Sequence, residues 1–92
     1  MKQVHVFYTG TVQGIGFRYT IVTLAQKLNL CGWVRNLPDG RVEMVAEGAE
    51  ETVEKLCQII EEHFAGYIRN KEKTWNPHSG EFKNFEIIHF NG

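Results

Sequence analysis

The sequence predicts an α+β sandwich in which two helices pack on one face of an antiparallel sheet. Three observations carry this expectation. Apolar residues recur with helical spacing in two stretches, β-branched or alternating runs surround those stretches, and glycine or proline turn chemistry marks most changes of period. The chain has 92 residues, 42% of them apolar and 23% charged. It is therefore expected to form a single domain over residues 1–92 around one core.

Gln3–Thr9 (QVHVFYT) is rich in β-branched and aromatic residues and suits a central strand. A glycine-rich loop follows. Phe17, Ile21, Leu24, Ala25 and Leu28 then form an amphipathic stripe that predicts a helix over Phe17–Asn29, with the chain reversing toward Gly32. Cys31–Asn36 (CGWVRN) and Arg41–Glu47 (RVEMVAE) flank the turn residues LPDG and predict a hairpin. Gly48 breaks the second of these strands. A helix over Glu50–Phe64 places Val53, Leu56, Ile60 and Phe64 inward and Glu50, Glu51, Glu54, Lys55, Glu61 and Glu62 largely outward, its acidic start matching the helix dipole.

Tyr67–Trp75 carries Lys71, Glu72 and Lys73 and predicts a solvated edge strand. NPHSG is a loop, and Phe85–Phe90 (FEIIHF) a short closing strand. The order is β-α-β-β-α-β with an extra terminal strand, the split βαβ or ferredoxin-like pattern. That fold serves many unrelated activities, so function must come from a site.

Several function classes are excluded by composition. A formal charge of −1 and a pI near 6.4 argue against binding driven by many phosphate contacts, hence against nucleic acid as a partner. Met1–Thr9 holds one lysine and no long apolar run, unlike a signal peptide. No stretch approaches the roughly 20 apolar residues of a membrane span. Cys31 and Cys57 lack metal or redox spacing and are expected to be buried free thiols of a cytoplasmic protein. His5, His63, His78 and His89 are scattered over four elements, with no pairing that suits a metal. Phe7, Tyr8 and Trp33 could be imagined as a base-stacking platform. The RNA-recognition signature is nevertheless missing from RVEMVAE.

The chemistry-bearing stretch is TGTVQGIGFR, residues 9–18. A strand, glycines and then a helix start can aim free backbone N–H groups at one anion. Gly14 and Gly16 permit the backbone conformations such a nest requires. Arg18 adds a planar cationic fork able to hold two phosphate oxygens. The dinucleotide and Walker patterns do not fit: Tyr19 stands where the former needs glycine. Local sequence alone leaves an anion cradle and an ordinary glycine loop both open. Asn36, at a strand end before a turn, would be unremarked by itself. Strand alternation turns Arg35 to the face opposite Asn36.

VQGIGFR (Val12–Arg18), GWVRNLPDG (Gly32–Gly40) and VEMVAEG (Val42–Gly48), in that order, resemble the acylphosphatase family, and GEFKNFEI (Gly80–Ile87) resembles its closing segment. The resemblance spans essentially the whole chain. It implies a ferredoxin-like fold and hydrolysis of acyl phosphates to a carboxylate and inorganic phosphate, without metal or organic cofactor. It further implies that the phosphoryl group is bound by the loop Gln13, Gly14, Ile15, Gly16, Phe17 and Arg18, and that Asn36 positions the attacking water. The implied partners are a small acyl phosphate, with inorganic phosphate as product and inhibitor; a monomer is the default state. The alternative is a non-catalytic regulatory module that binds phosphate or carbamoyl phosphate in the same pocket; similar domains are also fused to larger carbamoyl-phosphate-processing proteins. One departure is visible: Tyr67–Trp75 aligns with a segment that is often valine-rich, yet bears Lys71 and Lys73.

Overall fold

The structure, a computed structural model, describes residues 1–89. Its elements run β1 (Lys2–Gly10), α1 (Phe17–Lys27), β2 (Cys31–Asn36), β3 (Val42–Gly48), α2 (Glu50–His63), β4 (Ile68–Pro77) and β5 (Phe85–Ile87). The sheet order is β4-β1-β3-β2-β5. β1, β2, β3 and β4 pair antiparallel as expected. The sheet as a whole is mixed, because β5 runs parallel to β2, with Gly32 opposite Phe85 and Val34 opposite Ile87. The cause is the route of the chain. It leaves β4 on one edge, crosses the end of the sheet where β1 begins and β3 ends, and enters along the far edge of β2.

Alternation puts Val4, Val6 and Tyr8 of β1 with Val34, Val42, Met44 and Ala46 in the core. α1 adds Phe17, Ile21 and Ala25, and α2 adds Val53, Leu56, Cys57 and Ile60. Each such fully buried aliphatic side chain contributes roughly 1.5–3 kcal/mol. α1 stops two residues earlier than its stripe predicts. Asn29 takes φ = +56°, Asn29 N–H donates to Gln26 O at 3.1 Å and Leu30 N–H to Ala25 O at 2.9 Å. This Schellman closure makes Asn29 the reversal point. Gly32 lies instead inside β2, where a Cβ would fall 1.9 Å from Val45 O.

β4 is an edge strand, as its lysines suggest, and it reaches Pro77, into the expected loop. Glu61 of α2 tethers it, bridging Lys71 and Lys73, the latter at 2.5 Å. Phe90, the last residue of the expected closing strand, lies outside the described residues.

The helix-free face of the sheet is polar but not open at its centre. Glu43 and Glu47 of β3, which simple alternation would leave in solvent, are only 6% and 3% exposed. Glu43 is held by His5 at 2.6 Å and by Arg35 at 2.7 Å. Glu47 accepts from Gln3, from Ser79 N–H and Oγ, and from Gly80 N–H. Burial opposes ionisation of Glu47, yet these donors from Ser79, Gln3 and Gly80 outweigh it and bring the pKa down to about 2. Tyr8 faces the opposite, helix-covered side, so it shares no platform with Phe7 and Trp33.

Candidate active site

The loop from β1 to α1 sits at the other end of the sheet from the Glu47 crossing. Gly14 and Gly16 both take φ = +79°. That left-handed conformation costs an L side chain roughly 1–2 kcal/mol and glycine little. A Cβ at either position would meet nothing within 4 Å, so conformation rather than crowding calls for glycine. Gly16 caps α1, no side chain caps the helix, and no acid lies in its first turn. Among the described residues, no protein group accepts from the backbone N–H of Gly14 through Tyr19. These donors carry the positive end of the helix dipole.

Apolar side chains pin this loop from beneath. Phe17 is buried against Tyr8 at 5.3 Å and Phe64 at 4.6 Å between ring centroids, and Ile15 packs on the same core. Both residues therefore offer the site only their backbone. Arg18, one residue into the helix, is half-buried and has no ion pair among the described residues.

Asn36 ends β2 on the same side as Val34. Its Oδ1 is buried with no hydrogen-bond partner, a desolvation cost of about 1–3 kcal/mol that an O–H donor in the neighbouring cavity would remove. Arg35 points to the opposite face, onto Glu43 and over Trp33. A cavity of about 160 Å³ is lined by Gly14, Gly16, Phe17, Arg18, Tyr19 and Asn36, with Val12 at its base. A wider cleft of about 370 Å³ shares Arg18 and Asn36 and adds Leu37, Pro38, Ile88 and His89.

Five of the residues expected at the site thus share one cavity: Gly14, Gly16, Phe17, Arg18 and Asn36. Gln13 and Ile15 do not line it. The Gln13 carboxamide instead donates to Leu37 O at 2.9 Å and Arg41 O at 3.0 Å. Sequence reasoning missed Tyr19, whose neighbour Arg18 was the only clue, and Ile88 with His89, for which there was none. Ile88 arrives through the β5 pairing, its N–H donating to Val34 O at 3.0 Å.

No other cluster among the described residues offers comparable chemistry. Burial pushes the Cys57 thiol up to about 11 against the opposing charge of Lys73, leaving it unreactive at neutral pH. Cys31 is only half-buried, contrary to expectation, and both thiols are free. No three His, Cys, Asp or Glu side chains gather as metal ligands would among the described residues. No helix there is long and apolar enough to cross a membrane.

The comparison with protein families matches residues 4–87 to the acylphosphatase model. The chain belongs to the acylphosphatase family of enzymes. An acylphosphatase of Caldanaerobacter subterraneus subsp. tengcongensis is 40% identical over 87 residues, covering 94% of this chain and 97% of the relative. One from Trichormus variabilis is 65% identical over 56 residues; there the match spans 61% of this chain and only 55% of the relative's length. The crystal structure of acylphosphatase from Bacillus subtilis superposes with a TM-score of 0.86 at 31% identity, covering 96% of this chain and 99% of that one. The ferredoxin-like fold with its extra strand is thus an acylphosphatase fold.

Proposed function

We propose that this chain hydrolyses acyl phosphates to a carboxylate and inorganic phosphate, using groups from a single copy. The observation that carries the proposal is the meeting of Arg18, the glycine loop and the buried, unpartnered Asn36 Oδ1 at one small cavity. Phosphoryl transfer through a loose transition state asks mainly for neutralised oxygens and an aligned nucleophile. The loop N–H groups and the Arg18 guanidinium supply the first. Asn36 supplies the second by accepting a hydrogen bond from the attacking water.

The water oxygen bonds to phosphorus as the bond from phosphorus to the acyl oxygen breaks in line. Both water protons stay with the phosphate, and the carboxylate departs on the side of the phosphorus opposite Asn36. A carboxylic acid has a pKa of about 4, so its anion leaves without a general acid. A phosphomonoester, whose alkoxide is a far poorer leaving group, would need a proton donor placed at the leaving oxygen.

The test is hydrolysis of a small aryl acyl phosphate by purified protein with a chelator present. Turnover far above the spontaneous rate, inhibited competitively by inorganic phosphate, is the expected result. A flat trace with phosphate still bound would make the chain a binding module instead.

A further inference from the structure

The Gln13 side chain is committed to the turn that follows Asn36. Both protons of its Nε2 go to backbone carbonyls, those of Leu37 at 2.9 Å and Arg41 at 3.0 Å. The same two carbonyls close the β2–β3 turn: Leu37 O accepts from Gly40 N–H at 3.1 Å, and Arg41 O from Leu37 N–H at 2.8 Å. The carboxamide thereby fills the second acceptor site of each. It spans 24 and 28 residues of sequence and joins the glycine loop directly to the turn whose first residue follows Asn36.

No side-chain hydrogen bond fixes Asn36 Oδ1 itself. Its place relative to the loop is therefore set by the backbone on either side. On the β2 side, pairing with β3 does this, Asn36 standing opposite Val42. On the turn side, the Gln13 bridge does it.

We infer that the Gln13 side chain positions rather than binds: its carboxamide sets the distance between the phosphate cradle and Asn36, and so aligns the water held by Asn36 with the phosphorus. This rests on the acyl phosphate reading above. Because the bridge acts through Asn36, its loss lowers the rate of the chemical step and spares binding of phosphate by the loop N–H groups and Arg18.

The experiment compares Gln13→Ala and the equal-sized Gln13→Glu, which replaces both N–H donors by an oxygen facing two carbonyls. Each is made alone and together with Asn36→Ala. The readouts are kcat and KM for a small aryl acyl phosphate, the inhibition constant of inorganic phosphate, and the thermal midpoint. A misplacement of about an ångström predicts a fall in kcat of about 10²-fold, with KM and the phosphate constant within about twofold of wild type, the signature of an interaction made only in the transition state. In the Asn36→Ala background the further loss should shrink to less than about threefold, because the two residues act as one unit. Unchanged kcat, weakening of phosphate inhibition in step with kcat, or the same loss with and without Asn36 would each overturn the inference. So would unfolding of both variants at assay temperature, which would make the bridge a requirement of the fold. Wild-type turnover, and its loss in Asn36→Ala alone, test the acyl phosphate reading separately.

Discussion

Two short loops at opposite ends of the sheet turn backbone N–H groups outward from the chain's own ladder, and they differ in whether the chain itself supplies an anion to accept from them. In the crossing between β4 and β5, Ser79 and Gly80 turn their N–H groups onto Glu47, a carboxylate of the chain's own central strand. In the loop from β1 to α1, no acid lies in the first helical turn, and the nearest charge is the cation Arg18. The first arrangement uses anion recognition to close the fold; its strength shows in a Glu47 pKa of about 2 despite burial. The second has no protein acceptor for the same kind of donors among the described residues, as the proposed phosphate site requires, and pins the loop with Phe17, Ile15 and Gln13 instead. Donors satisfied from within stabilise, and donors left for solvent or substrate bind.

The sharpest way to break this contrast is to remove the cation from the open loop. Arg18→Gln should lower turnover of an aryl acyl phosphate by about 10³-fold or more and weaken phosphate inhibition, with thermal stability little changed. Asn36→Ala comes next. Steady-state kinetics should show a loss of about 10²-fold in kcat with the phosphate inhibition constant preserved; full activity would remove Asn36 from the water-positioning role.

At the closed loop the effect should fall on stability. Glu47→Gln should cost about 2 kcal/mol at pH 7, as hydrogen bonds to a charged group do, in denaturant titration, with kcat unaltered. The sign of its pH dependence follows from the lowered pKa. The folded carboxyl titrates at about 2 and its ordinary value is 4.5, so its contribution is complete above about pH 4.5 and is lost as pH falls toward about 2. The gap between wild type and variant should therefore close across that window; a gap constant down to pH 2 would contradict the assignment.

The smallest expected change comes from making the open loop resemble the closed one. Tyr19 is 71% exposed and lies in the first turn of α1, so Tyr19→Glu places an acid near the cradle. Inorganic phosphate should then inhibit about two- to fivefold less well, the range of a charge at a helix N-terminus, measured at low ionic strength. Added salt should shrink the difference.

Much of this site was legible in the order of residues. Gly14, Gly16 and Arg18 are neighbours in sequence, and their chemistry is local: a left-handed backbone, a helix start and a cation one residue inside it. Asn36 needed the resemblance, since an asparagine before a turn is ordinary by itself. For Gln13 the resemblance implied a place in the phosphate-binding loop. Only its partners, the carbonyls of Leu37 and Arg41, reveal what its side chain holds. Ile88 and His89 had no local signal, because they reach the cleft through a strand pairing between distant segments.

By itself the sequence determined the seven elements, the helix faces that carry the core, and a glycine-rich loop that opens α1. Each of these follows from spacing, turn chemistry or dipoles within about a dozen residues. The tertiary structure alone decided that β5 lies parallel to β2, that Glu43 and Glu47 are buried and held, and that Gln13 ties the cradle to the turn beside Asn36. Those outcomes join residues 8 to 53 positions apart. They depend on which surfaces the closed chain brings together, which no local pattern of residues encodes.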